Sequence, residues 1–351
     1  MSRRFALIAG ASGFIGRRLG EQLLAKDAWR VVGLCRRPPA RPGPFPLLSV
    51  DLTDAVDCRR QLSALQEITH VFYCARYDHH ASEREPVDIN AAMLANLVEA
   101  VEPIAASLEH VHVVHGTKYY GSHLGPFKVP AREDDPRATV KNFYHVQQGF
   151  LVARQRGKQW NWSVSRPHAF CDDSPEVARN LPMVFAVFAM IMRELGKPLC
   201  FPGTLENFNA IYQVTEIRHL ARAIEWMATE PRCANQAFNI TNGDSIRWAD
   251  LWPKFAGYFG LMPGPVRTIR LAEFMANKEF LWQRIIEKYA LNARPLRETA
   301  LWPYADFVFA AGYDIISDTT KAREFGFHER VDSARMFERC FYHFRSAKAI
   351  A

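Results

Sequence analysis

"RFALIAGASGFIG", residues 4–16, joins an apolar run of strand length to a glycine turn and then to the start of a helical pattern. Gly10, Gly13 and Gly16 stand in GxxGxxG spacing, and Phe14, Ile15, Leu19, Leu23 and Leu24 follow at helical intervals. Such spacing is a weak signal alone, because glycine turns between strands and helices are common. Strand, turn and helix in this order supply the context that makes it a dinucleotide fingerprint. The glycines allow a tight turn and let backbone N–H groups and the positive helix end approach a pyrophosphate. Gly10, Ser12, Gly13, Phe14, Ile15 and Gly16 are therefore expected at a cofactor site.

Outward from this unit the strand signal recurs in "RVVGLC" (30–35), "LLSVDL" (47–52), "ITHVFYCA" (68–75), "HVHVVHG" (110–116) and "WNWSVSRP" (160–167). Helical patterns over 55–66, 87–107 and 141–156 lie between them. Alternating strands and helices predict a Rossmann-type, doubly wound α/β fold with a parallel sheet. Residues 1–170 read as the dinucleotide-binding core. Residues 171–351 read mainly as a substrate-binding cap, with a strand and helix near 207–229 and the strand "QAFNIT" (236–241) returning to the sheet. No low-complexity linker separates the parts, so the cap is expected to interleave with the core.

With 351 residues, 48% hydrophobic, the chain can bury a large core. The formal charge of +7 comes from scattered Lys and Arg without a basic block, which argues against nucleic acid and suits an anionic small ligand. Seven cysteines without a CxxC pair point to a reducing, cytoplasmic setting rather than a disulfide or zinc scaffold. The run from Leu181 to Met192 is shorter than the ~20 residues a membrane helix needs, so no membrane partner is expected.

The second strand ends in Arg36 and Arg37, where an NAD site usually offers a carboxylate for the ribose hydroxyls. Guanidinium groups suit a 2′-phosphate, so NADPH/NADP+ is the expected cofactor. Asp51 and Leu52, after the third strand, are expected near the adenine.

The stretch "KNFYHVQQGF" (141–150) sets Tyr144 at the start of a helix, with Gln148 four positions on, where the usual short-chain reductase pairing has lysine. A phenol with pKa near 10 needs a nearby cation or hydrogen bond to support a developing enolate or alkoxide. The fifth strand ends in "HGTKYYG", and its Lys118 is placed to supply that cation.

The glycine pattern, "GTKYYG", "GPF" (125–127), "NFYH" and "WSVSRPHAF" together resemble the progesterone 5-beta-reductase and iridoid synthase-like group of atypical extended short-chain dehydrogenase/reductases. The likeness continues to "SDTTKAREFGF" (317–327). It implies reduction of the activated C=C bond of enones with NADPH, with Lys118 and Tyr144 as the catalytic pair. By the same likeness Tyr144 donates to the substrate oxygen, Lys118 orients it, and Pro167 and His168 border the cofactor. Arg166 is implied to be structural, and the protein a dimer. Two departures, His145 for the second aromatic of NFYY and the residues around Lys118, bear on the substrate more than on the chemistry.

Arg76, Tyr77, Phe127, Met183 and Phe185 are the expected contacts of a small hydrophobic enone, the last two as an adaptable apolar wall. "RYDHHASE" (76–83) reads as an exposed loop. His110, His112 and His115 lack a matching carboxylate or cysteine, so no metal is expected. Two other readings compete. A nucleotide-sugar epimerase or dehydratase shares the glycine pattern but normally keeps lysine four residues after tyrosine. An NADP-sensing regulator would need neither Lys118 nor Tyr144.

Overall fold

The computed structural model describes residues 3–38, 43–78 and 85–351; residues 39–42 of the Arg36–Arg37 loop and residues 79–83 of the 76–83 loop lie outside them. Six strands form as the sequence predicts, with helices between all but the second and third: β1 (Arg4–Ala9), β2 (Trp29–Cys35), β3 (Leu47–Ser49), β4 (His70–Tyr73), β5 (His110–Val114) and β6 (Asn161–Pro167). A seventh strand, Gln236–Ile240, pairs with β6. The sheet order is Gln236–Ile240, β6, β5, β4, β1, β2, β3, with every pairing parallel. Chain order reverses between β1 and β4, and in such sheets that switch point opens a crevice at the strands' carboxyl ends.

Helices α1 (Phe14–Leu24), α2 (Ala55–Leu62), α3 (Val87–Val101) and α4 (Phe143–Gln155) cover the two faces. One face packs Leu7, Val71, Val113 and Val164 against the side of α3 and α4. The other packs Ile8, Phe72 and Phe238 with apolar residues of α1 and of the helix Ile217–Thr229. Helix α3 stops at Val101, short of the expected residue 107, because Pro103 cannot donate a helical hydrogen bond. Asp54 caps α2 by accepting from Val56 N and Asp57 N.

Beyond residue 171 the centre is α5 (Leu181–Glu194), whose residues from Leu181 to Met192 are all buried. A helix apolar on every side must be enclosed by protein. Here aromatic residues of the helices Trp248–Tyr258, Trp302–Ala310 and Ser333–Ser346 surround it. Phe185 lies at the hub, its ring 5.3 Å from Trp248, 5.4 Å from Trp252 and 5.7 Å from Phe337.

Candidate active site

A cleft of about 480 Å³ opens at the carboxyl ends of the central strands, between sheet and cap. Its floor begins at the glycine turn. Gly10 has φ +76°, and a Cβ there would lie 2.9 Å from the backbone of Ala75 at the end of β4. A Cβ on Gly16 would lie 2.5 Å from the Gly10 carbonyl oxygen, so α1 starts flush against the turn. Ser12, Gly13, Phe14 and Ile15 line the cleft while Gly16 sits beneath it. This cradle of backbone at a helix N-terminus fits a pyrophosphate.

Along one wall run Leu34, Arg36, Val50 and Leu52, an apolar slot with one guanidinium at its rim. Arg36 lies 5.9 Å over the ring of Tyr77, which supports it from outside the cleft. Two expectations are corrected here. Arg37 is exposed and does not line the cleft. Asp51 turns away, because its Oδ1 accepts from Thr53 N at 2.9 Å and Thr53 Oγ1 at 2.7 Å to close the turn before α2.

At the other end, β5 runs through Gly116 into a tight turn, Thr117–Tyr120, that carries Lys118. Asn142 ties this turn to α4: its side-chain oxygen accepts from His145 N as the helix cap, and its amide donates to Lys118 O at 3.0 Å. His145 bonds Tyr119 O through Nε2 at 3.0 Å. Asn142 and His145 thus fasten the turn that carries Lys118 to the start of the helix that carries Tyr144. The Tyr144 ring stacks on His115 at 4.6 Å and meets Phe143 edge-on at 4.4 Å. A Cβ on Gly116 would come 3.5 Å from the phenol oxygen, so that glycine leaves the hydroxyl room.

Burial raises the Tyr144 phenol above its ordinary value of 10; the cations of Arg76 and Arg179 pull the other way, and Glu85 adds to the rise. Lys118 is half-buried, and desolvation lowers its pKa against the pull of Glu85. Its Nζ lies 3.1 Å from Glu85 Oε1, and among the described residues it makes no hydrogen bond to Tyr144. The expectation that Lys118 orients the tyrosine directly is therefore corrected: stacking on His115 and Phe143 holds the ring.

Gln148, at the position of the missing lysine, accepts from Arg166 Nη2 at 3.0 Å. Arg166 is buried 3.4 Å over the ring of Tyr119 and donates to Tyr120 Oη and Glu133 O. That network faces away from the cleft, and a lysine at position 148 would set a second cation against a buried one. Pro167, the last residue of β6, and His168 line the cleft. His168 bonds Thr117 Oγ1 through Nδ1 at 2.8 Å, and burial lowers its pKa to about 3, so the ring is neutral.

Residues 50–351 match a family described as the PRISE-like Rossmann-fold domain. The chain belongs to the PRISE family. It is 33% identical over 343 residues to the 3-oxo-Delta(4,5)-steroid 5-beta-reductase of Arabidopsis thaliana, covering 92% of this chain and 87% of that one. It is 32% identical over 362 residues to the (S)-8-oxocitronellyl enol synthase of Catharanthus roseus, covering 98% and 92%. Among solved structures it is similar to the Bordetella bronchiseptica enzyme WbmG in complex with NAD and UDP, with a TM-score of 0.68, 16% identity and coverage of 99% and 97%. A UDP-glucose 4-epimerase of Thermotoga maritima gives the same TM-score and identity, covering 97% and 99%. At that identity the likeness is one of fold.

Within this PRISE fold the cleft collects Arg76 and Tyr144 but not all the expected substrate contacts. Met183 and Phe185 are fully packed in the cap core, Phe127 leans on the same core, and none of the three lines the cleft. The apolar wall comes instead from Tyr212, Tyr304, Phe307 and Val308. Thr117, from the "GTKYYG" stretch, also faces the cleft, as do Ser122 and Arg179, which no motif marks in the sequence. Tyr304 arrives from the helix Trp302–Ala310, so far along the chain from Tyr144 that periodicity carries no signal between them. Of the three histidines, His110 Nε2 and His112 Nδ1 share Ser163 Oγ at 2.7 and 2.8 Å and His112 Nε2 bonds Ser165 Oγ, whereas neither ring nitrogen of His115 has a hydrogen-bond partner among the described residues.

Proposed function

We propose that this chain reduces the activated C=C bond of α,β-unsaturated carbonyl compounds with NADPH. The observation that carries the reading is a single cleft holding the glycine cradle and Arg36 at one end and the Tyr144 phenol, with Lys118 on the same lining, at the other. The names of the relatives agree with it: one reduces a 3-oxo-Δ4,5-steroid at carbon 5, the far end of an enone, and another yields an enol.

The nicotinamide, when bound, supplies hydride to the β-carbon. Gly10 to Gly16 hold the pyrophosphate, and Arg36 takes the 2′-phosphate. Tyr144 donates a hydrogen bond to the carbonyl oxygen, where negative charge gathers, from a ring held by His115 and Phe143. Burial keeps the phenol protonated at working pH, which suits a donor that must keep its proton as the enolate forms. The Lys118 cation, balanced by Glu85, favours the same negative charge. The α-carbon then takes a proton from solvent or from the phenol. An epimerase reading shares the fold, but Gln148 is bound to Arg166 where that chemistry uses a lysine. All seven cysteines are free thiols, which suits the cytoplasmic setting that, with a homodimer, forms part of the same proposal. Among the described residues no helix is long and apolar enough to cross a membrane.

The test is NADPH consumption with 2-cyclohexen-1-one, run beside cyclohexanone, a nucleotide sugar and NADH. Turnover of the enone alone, faster with NADPH than with NADH, is expected. Turnover of the ketone or the sugar instead would contradict the reading, and equal use of NADH would remove Arg36 from cofactor choice.

A further inference from the structure

Two guanidinium groups reach the reacting end of the cleft from opposite walls. Arg76 comes from the end of β4, and Arg179 from the segment that precedes α5. They converge on one oxygen: Asp78 Oδ1 lies 3.7 Å from Arg76 Nε and 3.9 Å from Arg179 Nη1. Both distances exceed a hydrogen bond, and the Asp78 side chain is 79% exposed. Neither Arg76 Nε nor Arg179 Nε has a hydrogen-bond partner among the described residues, although both atoms are buried. The other local carboxylate, Glu85, is bound to Lys118 at 3.1 Å and stands 3.8 Å from Arg76. Arg179 lies 5.1 Å over the ring of Tyr304, an arrangement that fixes the plane of the fork and leaves its in-plane N–H groups to point elsewhere.

A planar fork with unfilled N–H groups on each side of a loosely held carboxylate oxygen matches the geometry of bidentate carboxylate capture. We propose that the substrate of the enone-reducing site carries a carboxylate, which displaces Asp78 and is held by Arg76 and Arg179 while the enone oxygen meets Tyr144. The proposal rests on the enone-reductase reading. Arg76 is tied to the reacting end through Glu85, which stands 3.8 Å from it and 3.1 Å from Lys118, and Arg179 meets Arg76 at the shared Asp78 oxygen. Asp78 serves as an internal stand-in that keeps the two like charges together before substrate arrives.

The experiment measures kcat/KM for linear methyl enones that end in a carboxylate, with two to six methylenes between double bond and acid, each beside its methyl ester. Wild-type protein is expected to prefer at least one acid over its ester by about tenfold or more, the scale of a charge-assisted pair. In Arg179→Gln that ratio should fall to about one, and in the exposed Asp78→Asn the KM of the acid should drop several-fold, since the competing carboxylate is gone. Equal turnover of acids and esters throughout would overturn the carboxylate site and leave the enone reading standing. An Arg179→Gln effect confined to the KM of NADPH would overturn it too, by putting that side chain on the cofactor. Turnover of neither acids nor esters would remove the enone reading and this proposal with it.

Discussion

At the scale of single residues the proposed chemistry depends on Tyr144. Its phenol is desolvated, stacked on His115 and close to Gly116, so removal of the oxygen should alter chemistry more than architecture. Tyr144→Phe is expected to lower kcat by about 100-fold, the usual loss for one oxyanion donor, with NADPH binding near that of the wild type. Steady-state kinetics beside fluorescence titration of NADPH checks this, and an unchanged kcat would remove the phenol from the reaction. The tyrosine and Lys118 were legible because each stands at a nameable position, a helix start and a strand end. The part played by Asn142 and His145 was not, since their work is to grip the backbone of a turn well upstream in the chain. Asp51 shows the opposite failure. Its position suits an adenine contact, but a carboxylate just before Thr53 closes a local turn first, as short acidic side chains readily do.

Among the elements, α5 separates packing from function. Its alternating Met and Phe residues resemble a pliable substrate wall, yet the helix is enclosed on all sides and Phe185 meets five aromatic rings. Phe185→Ala should therefore cost about 3–5 kcal/mol of stability, as expected of a buried ring that leaves a cavity. Urea unfolding measures the loss. Little destabilisation together with a changed KM for enones would return this residue to the cleft wall. Strand and helix order was readable from β1 to β6 because the apolar period switches between strand-like alternation and helical spacing along that stretch. The cap was legible only as apolar helix, because burial on every face erases the periodicity that would say which side meets the ligand. A second set of links ties cap to cofactor helix: Arg18 of α1 bonds Asp172 at 3.0 Å and pairs with Asp173, which also pairs with Arg218. Charges so distant along the chain carry no local pattern that would mark them as partners.

Across the whole molecule, buried histidines set the response to acid. Desolvation lowers His70 to about 4 and His112 and His168 to about 3, and it holds His110 and His115 well below 6.5. Below pH 6.5 the unfolded chain takes up these protons while the folded chain does not, so stability is complete above that pH and is lost as pH falls toward 4. Each such histidine contributes up to about 1.4 kcal/mol per pH unit in this window. Glu133 and Asp172, whose carboxyls burial pushes up, act in the opposite sense, but these two face eight histidines, since desolvation also lowers His123, His145 and His219. Urea midpoints are expected to fall markedly between pH 6.5 and 5, above the range of ordinary carboxylates. Identical midpoints at the two values would contradict a neutral histidine core.

In the reaction proposed for this cleft, hydride lands on the β-carbon while Tyr144 holds the carbonyl oxygen. The most direct measurement is turnover of 2-cyclohexen-1-one with NADPH deuterated at nicotinamide C4 on both faces, followed by location of the label in the product. Deuterium at the β-carbon of cyclohexanone is the predicted result. Deuterium at the carbinol carbon of 2-cyclohexen-1-ol would contradict it, and would make the chain an ordinary carbonyl reductase.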